Sequence, residues 1–228
     1  MFKLLITVLI MTNLLALEID LSKADNLLLT WNCYSYAEGK EISFREIFAK
    51  AGDNIRIERW FVNPGEKPNP DARSIFIGNS KTGYIYSPCC KEKKVKTADL
   101  NPNRAVMEIA YGCPWWFTLK NSKVAHDYQR GSLVYATPYQ KVYLDPGTHQ
   151  PSEILYFHLR IVYDSYVSLP GLGSLPRSIK VYDGDKLVLK KSLTVSEDVS
   201  DALFHAENLP FKVGSEKIKA VDIPTKEE

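Results

Sequence analysis

The chain reads as mainly β, an antiparallel β-sandwich with one or two short helices, on three observations. Apolar and polar residues alternate over long stretches, as in Leu27, Leu29, Trp31 and Cys33 or Ile55, Ile57 and Phe61. Clusters of Gly, Pro, Asn and Asp break these runs often enough to supply the turns. The run Glu153 to Asp164 places Leu155, Phe157, Leu159, Ile161 and Tyr163 on one face and Ile154, Tyr156, His158, Arg160 and Val162 on the other. A strand apolar on one side and mixed on the other suits a two-layer stack.

Met1 to Ala16 carry one charge, Lys3, and the apolar run Leu4 to Met11, the pattern of a secretory signal peptide with cleavage after Ala16. A membrane helix needs roughly 20 apolar residues. Glu18 and Asp20 come too soon for that, and no second run of spanning length follows, so no membrane span is expected after cleavage. A secreted or periplasmic location follows. Residues 17–168 are assigned to the main β-sandwich. Residues 169–228 either complete it or form a small second β domain, because Leu169 to Pro176 reads as a linker or long loop.

In chain order, Asn26 to Tyr36 is a strand that delivers Cys33 inward. Ser43-Phe44-Arg45-Glu46 fits a capping box, and Phe44, Ile47, Phe48 and Ala51 follow at helical spacing, which predicts a two-turn helix. Asn54 to Val62 is a strand in which Arg59 points inward and needs a partner. Three prolines make Asn63 to Pro70 a surface loop. Ser74 to Ile77 and Tyr84 to Tyr86 are short strands. Met107, Ile109 and Tyr111 alternate with Glu108 and Ala110, which predicts a strand ending at a corner formed by Gly112, Cys113 and Pro114. Ser132 to Thr137 and Lys141 to Leu144 are strands around Pro138, and Asp145-Pro146-Gly147 is a turn. Ser178 to Tyr182 and Lys186 to Lys190 flank Asp183-Gly184-Asp185, a strong hairpin signal. Ser196 to His205 reads as a short helix or turn, and Lys217 to Ile223 as a last strand.

The four cysteines are Cys33, Cys89, Cys90 and Cys113. An exported chain permits disulfides, and three complete pairings exist. The two that bridge Cys33 and Cys113 each to one of Cys89 and Cys90 are favoured, because the third forces neighbouring cysteines to bond each other. Cys33, Trp60 and Cys113 follow one another in an order similar to the inter-sheet cysteines and core tryptophan of immunoglobulin domains, with Tyr111 two residues before the second cysteine. That resemblance implies an immunoglobulin-like sandwich. It is partial, since the interval from Cys33 to Trp60 is too long and an extra cysteine pair intervenes.

The formal net charge of +2 gives no reason to expect a polyanionic partner. Lys91, Lys93, Lys94 and Lys96 form the one basic cluster. It holds no aromatic residue, so a solvated loop is expected there and no nucleic acid partner. No Gly-x-Ser-x-Gly elbow, phosphate-binding glycine loop or His-Glu-x-x-His helix occurs, which points away from familiar enzymes. His126, His149, His158 and His205 lack metal-ligand spacing, so neither a metal nor a cofactor is expected.

Two groups of residues are candidates for binding. Trp115 and Trp116 offer an exposed aromatic platform for a protein or glycan partner, to which Tyr34, Tyr36, Tyr84 and Tyr86 could add, set against plain core packing. Tyr156, His158 and Arg160 would share one strand face and could grip an anionic or sugar hydroxyl group. The leading expectation is a non-catalytic binding module. The alternatives are a secreted carbohydrate-active enzyme with carboxylates on separate loops, or an envelope component that assembles through its edge strands.

Overall fold

A computed structural model describes residues 19–112 and 123–213. Among them, thirteen strands form one antiparallel sheet. They are β1 (Asn26–Ala37), β2 (Lys40–Ala51), β3 (Asn54–Trp60), β4 (Arg73–Gly78), β5 (Thr82–Ser87), β6 (Cys90–Lys96), β7 (Lys123–Asp127), β8 (Ser132–Ala136), β9 (Gln140–Leu144), β10 (Pro151–Tyr156), β11 (Leu159–Leu169), β12 (Gly173–Asp183) and β13 (Lys186–Ser196). The order across the sheet is β6-β5-β4-β3-β2-β1-β13-β12-β11-β10-β9-β8-β7. Two meanders are thus joined where β1 pairs with β13, Leu28 opposite Ser196. The mainly β, antiparallel expectation stands, but the two facing sheets do not: the strands continue in a single layer.

The helices α1 (Thr97–Leu100) and α2 (Pro102–Tyr111) take the place of a second layer. Here the sequence reading is reversed, because Met107, Ile109 and Tyr111 belong to a helix. Its start is set by the Asn101 side chain, which accepts from the Arg104 N–H, and by Pro102 in the first turn; Gly112 at φ +72 closes it. Val106, Ile109 and Ala110 are fully buried at helical spacing. The opposite reversal occurs at Ser43 to Ala51, which lies within β2. That segment pairs on both sides, with β1 and with β3, and two ladders outweigh a marginal two-turn helix.

The sheet bends around α2. Glu108 bonds Arg59 on β3, the Ile109 carbonyl accepts from Lys191 on β13, and the Tyr111 carbonyl accepts from Tyr163 on β11. Strands β3 and β11 would lie roughly 24 Å apart in a flat sheet, whereas a helix with its side chains is about 10–12 Å wide. One helical turn can reach both only if the sheet is concave toward it. The concave face carries Leu29, Trp31, Phe48, Ile57, Ile154, Ile161 and Ile179, all in the main core. On the convex face Ile75, Ile77 and Tyr86 are covered by Phe204, Leu209, Phe211 and Val213 of the C-terminal segment. The expected helix or turn at Ser196 to His205 takes the form of 3-10 turns at Asp201–Phe204 and Ala206–Asn208.

Glu153 to Asp164 is a hairpin and not one strand. Tyr156 pairs with Leu159, leaving Phe157 and His158 as a two-residue turn. The stretch read as a linker is also a turn: Leu169 pairs with Gly173, so β12 starts within it. Asp183 pairs with Lys186 around Gly184 at φ +58, the hairpin the Asp-Gly pair predicts. The lysine cluster lies on strand β6 and not in a loop, with Lys93, Lys94 and Lys96 exposed. β6 ends the sheet order, and such an edge strand is blunted by charge.

The Cys33 pairing is overturned. Its thiol is free and buried, donating to the Trp31 carbonyl at 3.5 Å and lying 3.8 Å from the Glu46 carboxylate. Cys89 is at the β5–β6 turn, four strands from β1, a separation of about 19 Å at ordinary strand spacing. A disulfide needs Cα atoms within about 7 Å. Cys113, the Cys90 side chain, the signal-peptide stretch 1–16 and the strand expected at 217–223 lie outside the described residues.

Gly78 and Gly83 face each other across β4 and β5 with the Phe76 ring against them. A Cβ on Gly83 would stand 2.5 Å from the Ile77 carbonyl oxygen and 2.5 Å from that ring. Gly83→Ala is therefore expected to cost about 1–3 kcal/mol, read as a lower urea midpoint at unchanged slope. An unchanged midpoint would show that the two strands part freely at this pair.

Candidate binding surface

Three groupings of side chains stand out, and they differ in what they can do. The first lies beneath α2. Lys191 donates to Glu46 at 2.6 Å and to the Ile109 carbonyl at 3.2 Å, and Glu46 also accepts the Trp60 backbone N–H at 3.1 Å. Burial pulls Lys191 toward its neutral form, but the Glu46 carboxylate beside it pushes the other way, and the net shift is upward. Burial pushes the Cys33 thiol up to about 12. A thiol held protonated and out of solvent is a poor nucleophile. This grouping ties helix to sheet and offers no reactive centre. Arg59 finds the partner it needs in Glu108, at 2.8 Å.

The second grouping crosses the convex face of β12, β11, β10 and β9. Arg160 lies over the Tyr182 ring at 4.4 Å and 3.7 Å from Glu153. Glu153 accepts from Arg130 at 2.8 Å, and Arg130 lies over Tyr143 at 4.4 Å. Arg160 is thus engaged in a ladder of rings and charges across four strands. The hairpin corrects the shared face expected for Tyr156, His158 and Arg160. Because Leu155 pairs with Arg160 and Tyr156 with Leu159, Tyr156 is on the concave side, Arg160 on the convex side, and His158 in the exposed turn.

The third grouping is at the tips of two neighbouring hairpins. Phe157 and Tyr139 are each 66% exposed and Tyr156 is 38% exposed. The Phe157 ring lies 5.8 Å from Tyr139 and 4.8 Å from Tyr156, edge-on to the latter. A backbone bond from the Phe157 N–H to the Tyr139 carbonyl, 3.3 Å, holds the two turns together. Phe157 has φ +53, in the left-handed region where the first position of a two-residue turn favours glycine. The chain keeps a bulky apolar side chain there at a local cost, and sets it in solvent.

Of the residues singled out from sequence, Tyr156 belongs to this aromatic rim and His158 borders it, whereas Arg160 does not. Tyr139 and Phe157 were missed. Tyr139 follows a strand-breaking proline, and Phe157 sits in an unbroken alternation that hides the turn. Tyr84 and Tyr86 lie on β5, across the sheet from the rim, with Tyr86 buried under the C-terminal segment. Trp115 and Trp116 lie outside the described residues.

No family model matches the chain, and no curated protein matches its sequence significantly. Solved structures share part of its backbone path. A domain assigned to outer membrane lipoprotein sorting, from Vibrio parahaemolyticus, is 10% identical with a TM-score of 0.40, over 80% of this chain and 90% of that one. A LolA superfamily protein from Nitrosomonas europaea is 12% identical with a TM-score of 0.41, over 82% and 93%. A DUF1329 family protein from Desulfovibrio piger is 10% identical with a TM-score of 0.41, over 82% and 92%. Lipoprotein sorting describes the first of those proteins, and likenesses of this size carry nothing about ligand or partner to this chain.

Proposed function

We propose that the protein is a non-catalytic binding protein acting outside the cytoplasm, and that it engages a protein partner through Tyr139, Tyr156 and Phe157. The observation that carries the reading is Phe157: a large apolar side chain, two-thirds exposed, kept at a backbone conformation that suits glycine. Local cost retained at an exposed position supports a role in contact rather than in folding. The export part rests on the pattern of Met1 to Ala16. Trp115 and Trp116 enter as sequence candidates only.

A protein partner fits better than a glycan because the rings form a knob and not a floor. The Phe157 ring stands at 76° to Tyr156 and at 34° to Tyr139, so no common flat face is offered to a sugar. Aromatic knobs of this kind fill pockets at the centre of protein interfaces. The lysines along β6 weigh against the alternative of an envelope component that assembles by edge pairing.

Phe157→Gly separates function from stability. It removes the knob and relieves the positive φ, so stability is expected to hold or rise by up to about 1 kcal/mol while partner capture falls at least about tenfold. The measurement is capture from the extracytoplasmic fraction of the source cells by wild type, Phe157→Gly and a Tyr139→Ser/Tyr156→Ser double variant, with a glycan array in parallel. Equal capture by all three would remove the proposed surface, and array binding lost with the same substitutions would replace the protein partner by a glycan.

A further inference from the structure

The convex face of β2, β3 and β4 holds more positive charge than its own carboxylate neutralises. Pairing of Ile47 with Glu58 and of Glu58 with Ile75 puts Arg45, Arg56, Glu58 and Arg73 on one side of these strands. Glu58, 2% exposed, accepts from Arg56 at 2.9 Å and from Arg73. Arg56 also donates to the Leu203 carbonyl at 2.9 Å. Arg45 has no ion pair among the described residues, and three guanidinium groups therefore face a single carboxylate. The C-terminal segment that crosses this face brings Glu197, Asp198, Asp201 and Glu207, yet none of these reaches an arginine of the group within ion-pair distance. Glu207 lies against His205 at 3.2 Å instead.

Between this segment and the sheet is a cleft of about 300 Å³ onto which all three arginines open, with Ser200 and Asn208 on its far wall. Acceptors are also short there. The Nε–H groups of Arg56 and Arg73 are both buried without a partner among the described residues. Arg56 and Arg73 are largely buried and share one carboxylate, and Arg45 adds an exposed charge at the same cleft, so the cleft is a place for an anion. The excess of two positive charges suits a dianion, and guanidinium forks suit phosphate oxygens. The volume exceeds what a bare phosphate fills, and Ile47, Leu203 and Pro210 supply apolar wall for an attached organic group.

We propose that this cleft binds a phosphomonoester, its phosphate held by Arg45, Arg56 and Arg73 and its organic part against the C-terminal segment. The site is independent of the aromatic rim. It lies on the strands of the other meander, so the Tyr139→Ser/Tyr156→Ser variant leaves it intact and the two readings fail separately.

The test is calorimetric titration of the full chain with inorganic phosphate, glycerol 3-phosphate and, as the neutral control, glycerol. A parallel arm measures sedimentation with phosphatidylcholine vesicles with and without phosphatidic acid. Arg45→Gln is the informative variant, because Arg45 is exposed and has no ion pair among the described residues. Glycerol 3-phosphate is expected to bind more tightly than inorganic phosphate, and Arg45→Gln to weaken it at least about tenfold at an unchanged melting temperature, with affinity falling as salt rises. Binding only to phosphatidic acid vesicles, lost in the same variant, supports the site with a lipid as the source of the phosphate. Failure of every phosphate form to bind at about 1 mM, or binding that Arg45→Gln does not weaken, overturns it.

Discussion

Replacing Lys191 with alanine is expected to lower the unfolding free energy by about 3–5 kcal/mol, because it leaves the Glu46 carboxylate buried without its cation. Glu46→Ala should cost a similar amount, and it also strips the Trp60 N–H of its acceptor. The double change Glu46→Leu with Lys191→Met removes both charges together. It should recover most of the loss but not all, since the Trp60 N–H and the Ile109 carbonyl then lose these bonds, at up to about 1–3 kcal/mol for each buried group. Urea unfolding of the four proteins measures this. A double variant no more stable than either single would show that the pair holds α2 by shape and not by charge.

The same pair sets a pH dependence of known sign. Lys191 titrates above its unfolded value of about 10.4, so its contribution is present in full below that pH and is lost as pH rises through the folded value. Wild-type stability should therefore fall more steeply at alkaline pH than that of the Leu/Met double variant.

Trp31→Ala is expected to cost about 3–5 kcal/mol, the range for deleting a large, fully buried aromatic side chain. Its place in the topology makes the site consequential. Trp31 lies opposite Glu46 on β2 and Leu193 on β13, at the seam where the two meanders meet. Each meander is built from neighbouring hairpins, whereas the seam closes a separation of more than 150 residues between Leu28 and Ser196. Contacts of that range are formed late and at the greatest entropic cost. Trp31→Phe should be mild by comparison, because the indole Nε1–H has no hydrogen-bond partner among the described residues to lose. Equal losses for the two substitutions, measured by denaturant unfolding, would overturn this account of the seam.

How far the sequence revealed this molecule depends on which signals are local. The Asp-Gly hairpin and the inward face of β1 were legible because a turn residue or a clean alternation decides them on the spot. Ser43 to Ala51 was not, since a capping pattern cannot reveal that both flanks of the segment will be paired. Tyr111 and its neighbours fit both periods, and only the Asn101 cap, Pro102 and Gly112 separated helix from strand. At Phe157 the turn residues are a phenylalanine and a histidine, neither of which announces a turn, and so the sequence hides the pairing that puts Tyr156 and Leu159 on one face. Phe157, one of the three rings of the aromatic rim, is hidden with it. The arginine cleft was invisible for another reason: Arg45, Arg56 and Arg73 are brought together by strand register, which is a property of the assembled sheet.

The lysines of β6 matter beyond the single chain. At high concentration a long open sheet can act as a template, each copy offering its end strand to the next. For two copies to dock along β6 they would have to crowd several ammonium groups against one another. That repulsion keeps this margin solitary, and leaves any association of the molecule to surfaces elsewhere on it.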